Sequence, residues 1–553
     1  RKLIENFRIL YEENNDRLKE WDKKLLDVSD PLDWINLIAD HSVIIREIFA
    51  ENEELLDELW EQIPEELSAV EAELLYDLVI GMYDDSFHDF IVLTRIGERL
   101  IPYFEEIGDY ECLLSLYHML GDEYAIFYRS TPTDTGVSEA MKYFEKVAAL
   151  KEHYDELDSS EARYHIFTDY RAMLSFLDVR WPKQCAKKIR LYSEIRKFYE
   201  SDIFRQKDGD REIFESIMLS LDEDILDAVR FRENLMDDMK ERLEGIVEQM
   251  YQRFQNIEIG EKDRRKYRIS MTLYWLKGEL TEEDLVKNLI RHLVNAPAPA
   301  YSSTDEETAF SALTDMLSLA ESIIWHLENL NFSESKKNAY IRQFFPRVMD
   351  VMTNIPYSFQ TEAVRVLCSD WYNTAEQYFK TEPEKIDFLM KMIVRRQPIT
   401  YIHSLMVAKI AQMLANSVIN SHPGELVGVR GCKNPEEVVS KREDLTEYIY
   451  DCGLIHDVGK CKVSEAVNNQ NRKLSESEFD HIRKHPELGI SVIKKTPVLE
   501  PYFDIILGHH KTYDGKHGYP LSFDNTVSPL HFVIDLISIA DSTDAATDIL
   551  GRN

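Results

Sequence analysis

Histidine and aspartate side chains recur on apolar, helix-patterned segments in the last third of this chain. Nine of the sixteen histidines lie within residues 391–553, where Lys and Arg total 19 and Asp and Glu total 21. A single histidine or aspartate in a helical protein is usually a surface residue or a hydrogen-bonded core residue. Burying many of them without partners would cost roughly 2 to 7 kcal/mol for each polar group. The pattern therefore predicts a helical domain that gathers its histidines around a shared ligand.

The dominant hydrophobic period along the chain is helical. Residues 139–157 and 222–254 place apolar side chains on one side and charged side chains opposite, and alternating strand patterns are hard to find. Clusters of Pro, Gly, Ser and charge interrupt the helical pattern at residues 130–136, 207–212, 296–307 and 380–385. We predict an all-α fold, with a helical-repeat or helical-bundle region at 1–385 followed by a second helical domain at 386–553.

The first region has a weak repeat signature. The spacing of Ala140 and Phe144, with segment 110–122 before it, resembles the helical hairpin of tetratricopeptide repeats. The strict period of that repeat family is missing, so a repeat array and a generic helical bundle both stay open. Nothing before residue 390 indicates catalysis, and we expect this region to regulate the rest of the chain or to bind a protein partner.

The net charge of −36 comes mainly from the first region. Residues 1–390 carry 46 Lys and Arg against 80 Asp and Glu. Because an acidic surface repels phosphodiester backbones and anionic lipids, we expect neither a long nucleic acid nor a membrane as partner. The six cysteines show no Cys-x-x-Cys spacing, and no run of eighteen apolar residues is present. The spacing of the cysteines favours reduced thiols, as in a cytoplasmic protein. The absence of a long apolar run is also what we expect of a protein in the cytoplasm.

Metal-binding residue types are placed throughout the second domain. The segment GHHKTYDGKHGYP, residues 508–520, contains three histidines, and HDVGK, residues 456–460, ends a predicted helix. The candidate ligands are His403, His456, Asp457, His485, His509, His510 and Asp541. Nitrogen and carboxylate ligands without thiolates suit iron, manganese or zinc. We interpret His422, His481 and His531 as ordinary surface or core histidines.

Two residues of HDVGK indicate phosphate chemistry. Gly459 removes a side chain where a helix ends, which would let a phosphate approach the backbone, and Lys460 would supply positive charge. Pro486, directly after His485, is well placed to open a helix.

The order of these motifs resembles the HD-GYP family, a branch of the HD superfamily of metal-dependent phosphohydrolases. The motifs are His403, HDVGK (456–460), HPELG (485–489), HH (509–510), DGKHGYP (514–520) and ADSTDA (540–545). The resemblance covers about 160 of the 553 residues. It implies an all-helical domain with two or three metal ions that hydrolyses the phosphodiester bonds of cyclic di-GMP in bacterial signalling.

The resemblance also assigns roles. It makes the seven candidate ligands metal-binding, with Asp457 as the bridge between two ions, and it gives catalytic roles to Asp457 and Lys460. The substrate-side residues it implies are Lys460, Lys511, Asp514, Gly518, Tyr519 and Pro520. Asp514 and Asp544 have a plainer interpretation, as a turn carboxylate and a helix-start carboxylate, and orientation of a histidine is the functional alternative.

Several positions depart from the family pattern. Ile399 stands where members with three metals have an acidic residue, which favours two ions. Lys511 and Asp535 replace a common Glu and a common Arg, so substrate contacts are expected to differ. Residues 422–444 look like an inserted loop that caps the site or touches a partner. The family normally continues beyond the position of Asn553, so we expect the catalytic domain to be incomplete at this end.

Two hypotheses follow for the whole chain. The first is a metal-dependent phosphodiesterase for a cyclic dinucleotide, most of all cyclic di-GMP, controlled by the acidic region. The second is an interaction protein whose metal domain senses a nucleotide without hydrolysing it. The pattern leaves a homodimer open.

Overall fold

The computed structural model of this protein describes most of the chain. The described residues are 2–26, 66–84, 90–128, 135–255, 263–300, 306–353, 381–396, 398–463, 476–494 and 496–547, with the isolated positions 37, 51, 54, 57–62 and 355. The chain divides into two compact units. The first comprises residues 1–8, 59–297 and 318–346, and the second comprises 9–58, 298–317 and 347–553.

Up to residue 353 the described chain is built from helices. These are α1 (Lys2–Leu26), α2 (Ala69–Asp84), α3 (Phe90–Ile107), α4 (Tyr110–Tyr128), α5 (Thr135–Ala149), α6 (Ser160–Phe176), α7 (Pro182–Tyr199), α8 (Asp202–Asp208), α9 (Glu212–Val229), α10 (Asp237–Gln255), α11 (Arg264–Leu276), α12 (Glu282–Asn295), α13 (Glu306–Asn329) and α14 (Glu334–Thr353). Short 3₁₀ helices lie at Leu150–Glu156 and Arg232–Asn234. From α2 to α7, each helix packs against the next one along the chain. The prediction of a helical first region is confirmed.

Local sequence explains where these helices begin. Ser159 precedes α6 and accepts a hydrogen bond from the backbone N–H of Ala162, and Thr281 does the same for Asp284 at the start of α12. The pattern predicted across residues 222–254 is interrupted between Val229 and Asp237, where no Gly or Pro marks the break.

The second unit contains the described helices after residue 381. They are α15 (Glu382–Arg396), α16 (Pro398–Ser421), α17 (Pro435–Ser440), α18 (Arg442–Ile455), α19 (Glu476–Ile482), α20 (His485–Ile493), α21 (Phe503–Gly508) and α22 (His531–Thr547). Short 3₁₀ helices lie at Pro423–Leu426, Val429–Gly431, Val458–Lys462, Pro497–Tyr502 and Asn525–Val527. No strand is formed within the residue ranges described above, so the predicted all-α fold class is confirmed.

Helix α16 is the central element of this unit, because it packs against α15, α18 and α22. Its buried face carries the small residues Ala408, Ala411 and Ala415. A Cβ atom on Gly453 of α18 would lie 2.5 Å from Cα of Ala408. The two helices therefore approach as closely as their backbones allow, which holds the end of α18 beside the start of α16.

The segment Thr400–Ser421 of α16 is long and apolar enough to cross a membrane by length and composition alone. In the described part of the chain it is the single helix that meets this criterion. Its packing against three other helices accounts for its apolar face as the core of this unit.

Helices α2, α4 and α6 of the first unit share a series of partly buried polar contacts. Nδ1 of His118 lies 2.7 Å from Oδ1 of Asp169, and Nε2 lies 3.3 Å from the Tyr83 hydroxyl. Tyr83 in turn donates to Oδ2 of Asp122 at 2.9 Å. The His165 ring stacks on His118 at 3.8 Å. Because both His118 nitrogens have an acceptor when the imidazole is doubly protonated, this arrangement favours the charged form.

We predict that the polar contacts around His118 make the stability of the protein sensitive to alkaline pH. Burial lowers the pKa of His118, but the Asp169 carboxylate outweighs burial, so the pKa lies above its ordinary value. A folded-state pKa above the unfolded one stabilises the fold fully below the unfolded pKa of about 6.5, and this contribution is lost as pH rises through the folded pKa. The Tm difference between wild type and His118→Gln should therefore shrink from about pH 6 to about pH 9.

The surface variant His153→Gln is the control, because His153 pairs with Glu156 at a half-exposed position and stacks on Tyr110. A Tm difference for His118→Gln that stays constant over this pH range would show that His118 is not charged in the folded protein.

Candidate metal centre

The ends of several helices meet around one buried position in the second unit. His456 directly follows α18, His485 begins α20, and His509 directly follows α21. His403 lies near the start of α16, and Asp541 lies in the second half of α22. The seven predicted ligands form two clusters, of which one contains Asp457, His485, His509 and His510 and the other contains His403, His456 and Asp541.

Three of the histidines are oriented in the same way. Nδ1 of His456 lies 2.7 Å from the carbonyl of Gly453, Nδ1 of His485 lies 2.8 Å from that of Ile482, and Nδ1 of His509 lies 2.9 Å from that of Ile506. A carbonyl can only accept, so each Nδ1 carries the proton. Each carbonyl also belongs to the last turn of a helix, where backbone acceptors lack partners within the helix. Unpaired helix ends thus set the tautomer and leave each Nε2 with a free lone pair.

Asp457 lies between the two clusters, and its side chain is almost fully buried. Its Oδ1 atom lies 3.1 Å from Nε2 of His485 and 3.7 Å from Nε2 of His509. Its Oδ2 atom lies 3.4 Å from Nε2 of both His403 and His456. One carboxylate oxygen therefore faces each cluster, which is the arrangement of a bridging ligand.

Asp541 completes the contacts between the clusters. Its Oδ1 atom lies 3.0 Å from Nε2 of His403 and 4.0 Å from Nε2 of His456. Its Oδ2 atom lies 3.7 Å from Nδ1 of His510. Asp541 thus reaches the first cluster with one oxygen and His510 with the other.

Three of the histidines and both carboxylates have pKa shifts toward the states that a metal site requires, namely neutral imidazoles and ionised carboxylates. Burial lowers the pKa of His456 to about 3 and also lowers the pKa of His485 and of His510. For Asp457, burial would raise the pKa, but the positive charge of Lys460 holds it well below its ordinary value. The hydrogen bond with His403 does the same for Asp541.

These residues fit a divalent metal ion. The Nε2 atoms of His485 and His509 face each other at 3.1 Å, although both are acceptors in the tautomers set by the helix ends. Nε2 of His456 is buried, and it has no hydrogen-bond partner among the described residues. Two lone pairs that point at each other repel unless a cation lies between them. The donor set of imidazole nitrogens and carboxylate oxygens is one that iron, manganese and zinc accept.

His403 has an additional carboxylate partner. Its Nδ1 atom lies 2.6 Å from Oδ2 of Asp544, which is in the last part of α22. The interpretation of Asp544 as a helix-start carboxylate is therefore wrong, because the carboxylate instead orients an imidazole. Burial lowers the pKa of His403, but hydrogen bonds with Asp541 and Asp544 outweigh burial and raise it.

The segment after the paired histidines forms a compact turn. Lys511 and Gly518 pair as an isolated antiparallel bridge. Asp514 accepts hydrogen bonds from the Thr512 hydroxyl at 2.8 Å and from the backbone N–H of Lys516 at 3.2 Å. Gly518 has φ of +86°, and a Cβ atom there would lie 1.9 Å from the carbonyl oxygen of His510. Asp514 is therefore a turn carboxylate, as interpreted from the sequence, and position 518 requires glycine.

The predicted substrate-side residues lie at different depths. The Tyr519 ring lies 4.5 Å from the His510 ring and 6.0 Å from the His485 ring, measured between centroids. Asp514 is exposed at the turn, whereas Lys511 and Pro520 are buried. Lys460 places Nζ 2.7 Å from Oδ2 of Asp457, with its side chain 20% exposed.

Gly459 has a different role from the one that its sequence position indicated. A Cβ atom at this position would lie 1.8 Å from the carbonyl oxygen of His485 and 2.5 Å from the backbone nitrogen of Gly489. The space beside Gly459 is therefore filled by α20, and the expectation that it admits a phosphate is wrong. The glycine instead lets the chain after Asp457 pack directly on the backbone of α20 at His485 and Gly489.

The inserted segment 422–444 lies at the other end of the helices that hold the site. It joins the end of α16 to the start of α18, and Ser421 is 18 residues beyond His403, about 27 Å at 1.5 Å for each helical residue. Its Arg430 donates to Oε1 of Glu382 on α15 at 2.5 Å. The interpretation of this segment as a cap over the metal site is therefore wrong.

Residues 400–546 match the family model described as HD domain, so this part of the chain is an HD domain. Over 123 residues the chain is 28% identical to a cyclic di-GMP phosphodiesterase of Thermotoga maritima, covering 22% of this chain and 32% of that protein. Over 96 residues it is 32% identical to a cyclic di-GMP phosphodiesterase of Pseudomonas aeruginosa, covering 17% and 22%. Over 116 residues it is 26% identical to the 3′3′-cGAMP-specific phosphodiesterase 2 of Vibrio cholerae, covering 21% and 22%.

These matches span about a third or less of the length of the relatives. They confirm the resemblance of the second domain to the HD-GYP branch and support a metal-dependent phosphohydrolase. An HD domain implies divalent metal binding, and the described residues include two clusters that can hold such ions. Among solved structures, a circular tandem repeat protein aligns with 91% of this chain and 93% of its own at 12% identity, but its TM-score of 0.14 supports no shared fold.

We predict that Gly459→Ala lowers the free energy of unfolding by about 3 kcal/mol or more and weakens metal binding, because the added methyl group forces α20 and His485 away from Asp457. Thermal unfolding and metal analysis of the purified variant measure both effects.

Gly424→Ala is the matched control, since a Cβ atom at Gly424 meets no heavy atom within 4 Å in the structure. A Gly459→Ala variant that matches Gly424→Ala in Tm and metal content would contradict this account of the packing.

Proposed function

We propose that this protein is a metal-dependent phosphodiesterase that hydrolyses a cyclic dinucleotide, with cyclic di-GMP as the first substrate to test. The observation that carries the proposal is the position of Asp457, whose two oxygens each face one cluster of imidazoles in the core of an HD domain. This geometry suits a pair of metal ions, and paired metal ions are a common means of hydrolysing phosphodiester bonds.

The proposed cofactors are two divalent transition-metal ions, with iron or manganese preferred and zinc as the alternative. His403, His456 and Asp541 would hold one ion, His485, His509 and His510 the other, and Asp457 would bridge them. When bound, such a pair supplies a hydroxide nucleophile at neutral pH and neutralises charge on the phosphoryl oxygens.

Lys460 is proposed to bind the substrate phosphate. In the structure its ammonium pairs with Asp457 and remains partly exposed. The charge of the Asp457 carboxylate would be neutralised by the divalent ions that it holds. The Lys460 ammonium would then turn from Asp457 to a phosphate oxygen that approaches from solvent. A cation at this position stabilises charge that develops in the transition state.

The remaining substrate contacts are proposed from the turn that follows the paired histidines. Tyr519 packs on His510 and would present its ring to a base or ribose, and Gly518 and Pro520 would hold that ring in place. Lys511 and Asp514 are the other proposed contacts. Charge at Lys511 and Asp535 differs from the family pattern, so cyclic GMP-AMP is the second substrate to test, and a relative with that specificity is among those matched.

The division of labour is also a proposal. We infer that residues 386–553 form the catalytic domain and that the acidic helices of residues 1–385 regulate it or bind a protein partner. The protein would act in the cytoplasm on a soluble nucleotide, without a membrane or a long nucleic acid as partner, and a homodimer is compatible with this function.

We predict that the purified protein contains about two transition-metal ions and that His456→Ala and Asp457→Ala each lose metal and hydrolytic activity while helix content is retained. Metal analysis, circular dichroism and a cyclic di-GMP hydrolysis assay with manganese or iron measure the three properties. Asp457→Ala should lose more metal than His456→Ala, because Asp457 faces both clusters.

His422→Ala is the control for these variants, because His422 is exposed and lies beyond the end of α16. Normal metal content in either test variant would contradict the assignment of the ligands.

We predict that Lys460→Ala lowers the turnover of cyclic di-GMP by about a hundredfold, because it removes a charge aimed at the phosphate. Its metal content should equal that of wild type, since a cation is not a ligand. Lys409→Ala, which removes an exposed lysine of α16, is the control.

A metal-loaded wild-type protein that binds a cyclic dinucleotide without cleaving it would favour the second hypothesis, a nucleotide sensor, over the phosphodiesterase.

A further inference from the structure

Helix α22 faces three consecutive residues with three of its side chains. Ile534, Ser538 and Asp541 are spaced four and three residues apart, so they form one stripe along the helix. This stripe runs beside Gly508, His509 and His510, the residues where α21 ends and the paired histidines begin. Ile534 lies against Gly508, Ser538 against His509 and Asp541 against His510.

The first contact is one of close packing. A Cβ atom on Gly508 would lie 3.0 Å from two side-chain carbons of Ile534 and 2.9 Å from the Phe523 ring. Glycine therefore lets the end of α21 approach the surface of α22 closely. Further along the stripe, Oδ2 of Asp541 lies 3.7 Å from Nδ1 of His510.

The middle contact is a hydrogen bond. The Ser538 hydroxyl donates to the carbonyl oxygen of His509 at 2.6 Å. The carbonyls at the end of a helix lack partners within it, and the one before, that of Gly508, accepts from the backbone N–H of Lys511 at 2.8 Å. Ser538 therefore satisfies the next carbonyl, which belongs to the peptide group that joins the two histidines.

The direction of this hydrogen bond sets Ser538 apart from other hydroxyls of α22. Thr543 donates to the carbonyl of Ile539 and Thr547 to that of Thr543, both within the same helix. Such bonds within a helix are the usual choice for Ser and Thr. Ser538 instead bonds to a different segment, and the nearest buried residues of α22 are apolar except for Asp541, one turn further along.

We propose that Ser538 is a positioning residue of the metal centre. By holding the peptide plane between His509 and His510, it fixes the directions in which both imidazoles leave the backbone. This proposal rests on the proposed function, because those imidazoles are assigned there as ligands of one metal ion. Loss of the hydroxyl leaves the His509 carbonyl unpaired and lets the peptide rotate.

The expected consequence is selective. The cluster of Asp457, His485, His509 and His510 depends on this peptide, whereas His403 and His456 are held by other elements. Removing a group that orients a metal ligand typically weakens metal binding by about ten- to a hundredfold. Ser538→Ala should therefore weaken one of two metal sites and spare the other.

The test is a titration of the metal-free full-length protein with Mn²⁺, followed by calorimetry, for wild type, Ser538→Ala, Ser538→Thr and Thr543→Ala. We expect Ser538→Ala to bind one Mn²⁺ ion about tenfold or more weakly and the other as wild type does. Ser538→Thr restores the hydroxyl and should recover most of the affinity, and the exposed control Thr543→Ala should match wild type.

Tm of the metal-free proteins separates positioning from loss of the fold, since Ser538→Ala should unfold within a few degrees of Thr543→Ala. Wild-type affinity at both sites in Ser538→Ala, or equal weakening of both with a large fall in Tm, would overturn the proposal while leaving the proposed function intact. A wild-type protein that binds no Mn²⁺, Fe²⁺ or Zn²⁺ would overturn both.

Discussion

The structure of the second unit depends on how unpaired helix-end carbonyls hold the histidines. His456, His485 and His509 each donate Nδ1–H to a carbonyl three residues earlier, in the last turn of α18, α19 and α21. That single kind of contact satisfies a backbone acceptor, fixes a tautomer and directs the Nε2 lone pair toward Asp457. The same lone pairs would repel one another without a cation, as the 3.1 Å separation between two Nε2 atoms shows. The arrangement of these lone pairs around the Asp457 carboxylate therefore favours the binding of a cation at this site.

Glycines bring those helix ends close enough to meet. Gly453 lets α18 contact the backbone of α16, Gly459 lets the chain after Asp457 contact α20, and Gly508 lets α21 contact α22. At each position a methyl group would come within about 3 Å of a neighbouring heavy atom, which packed interiors do not permit. The metal centre is consequently supported by backbone packing as well as by side-chain hydrogen bonds. Two side chains of α22 also orient groups of the site. Asp544 orients the imidazole of His403, and Ser538 holds the peptide group between His509 and His510.

Much of this arrangement could be predicted from the sequence. Histidines and aspartates on apolar helices pointed to a shared buried ligand, and all seven predicted ligands lie in the two clusters. The all-α fold followed from hydrophobic periodicity. The role of Gly459 could not be predicted, because its close neighbour, the carbonyl of His485, is 26 residues away in sequence. The position of segment 422–444 depends on the direction in which α16 runs from His403, and composition does not reveal that. The break between α9 and α10 carries no Gly or Pro, so periodicity continued through it. Ser538 looked like any small residue on an apolar helix.

The most direct test of this account is a crystal structure of the metal-loaded protein with anomalous diffraction recorded at the absorption edge of the bound metal. The account predicts two anomalous peaks, one among His403, His456 and Asp541 and one among His485, His509 and His510, each within bonding distance of a different oxygen of Asp457. A fully loaded protein with no peak beside Asp457, or with its metal held by other residues, would contradict it.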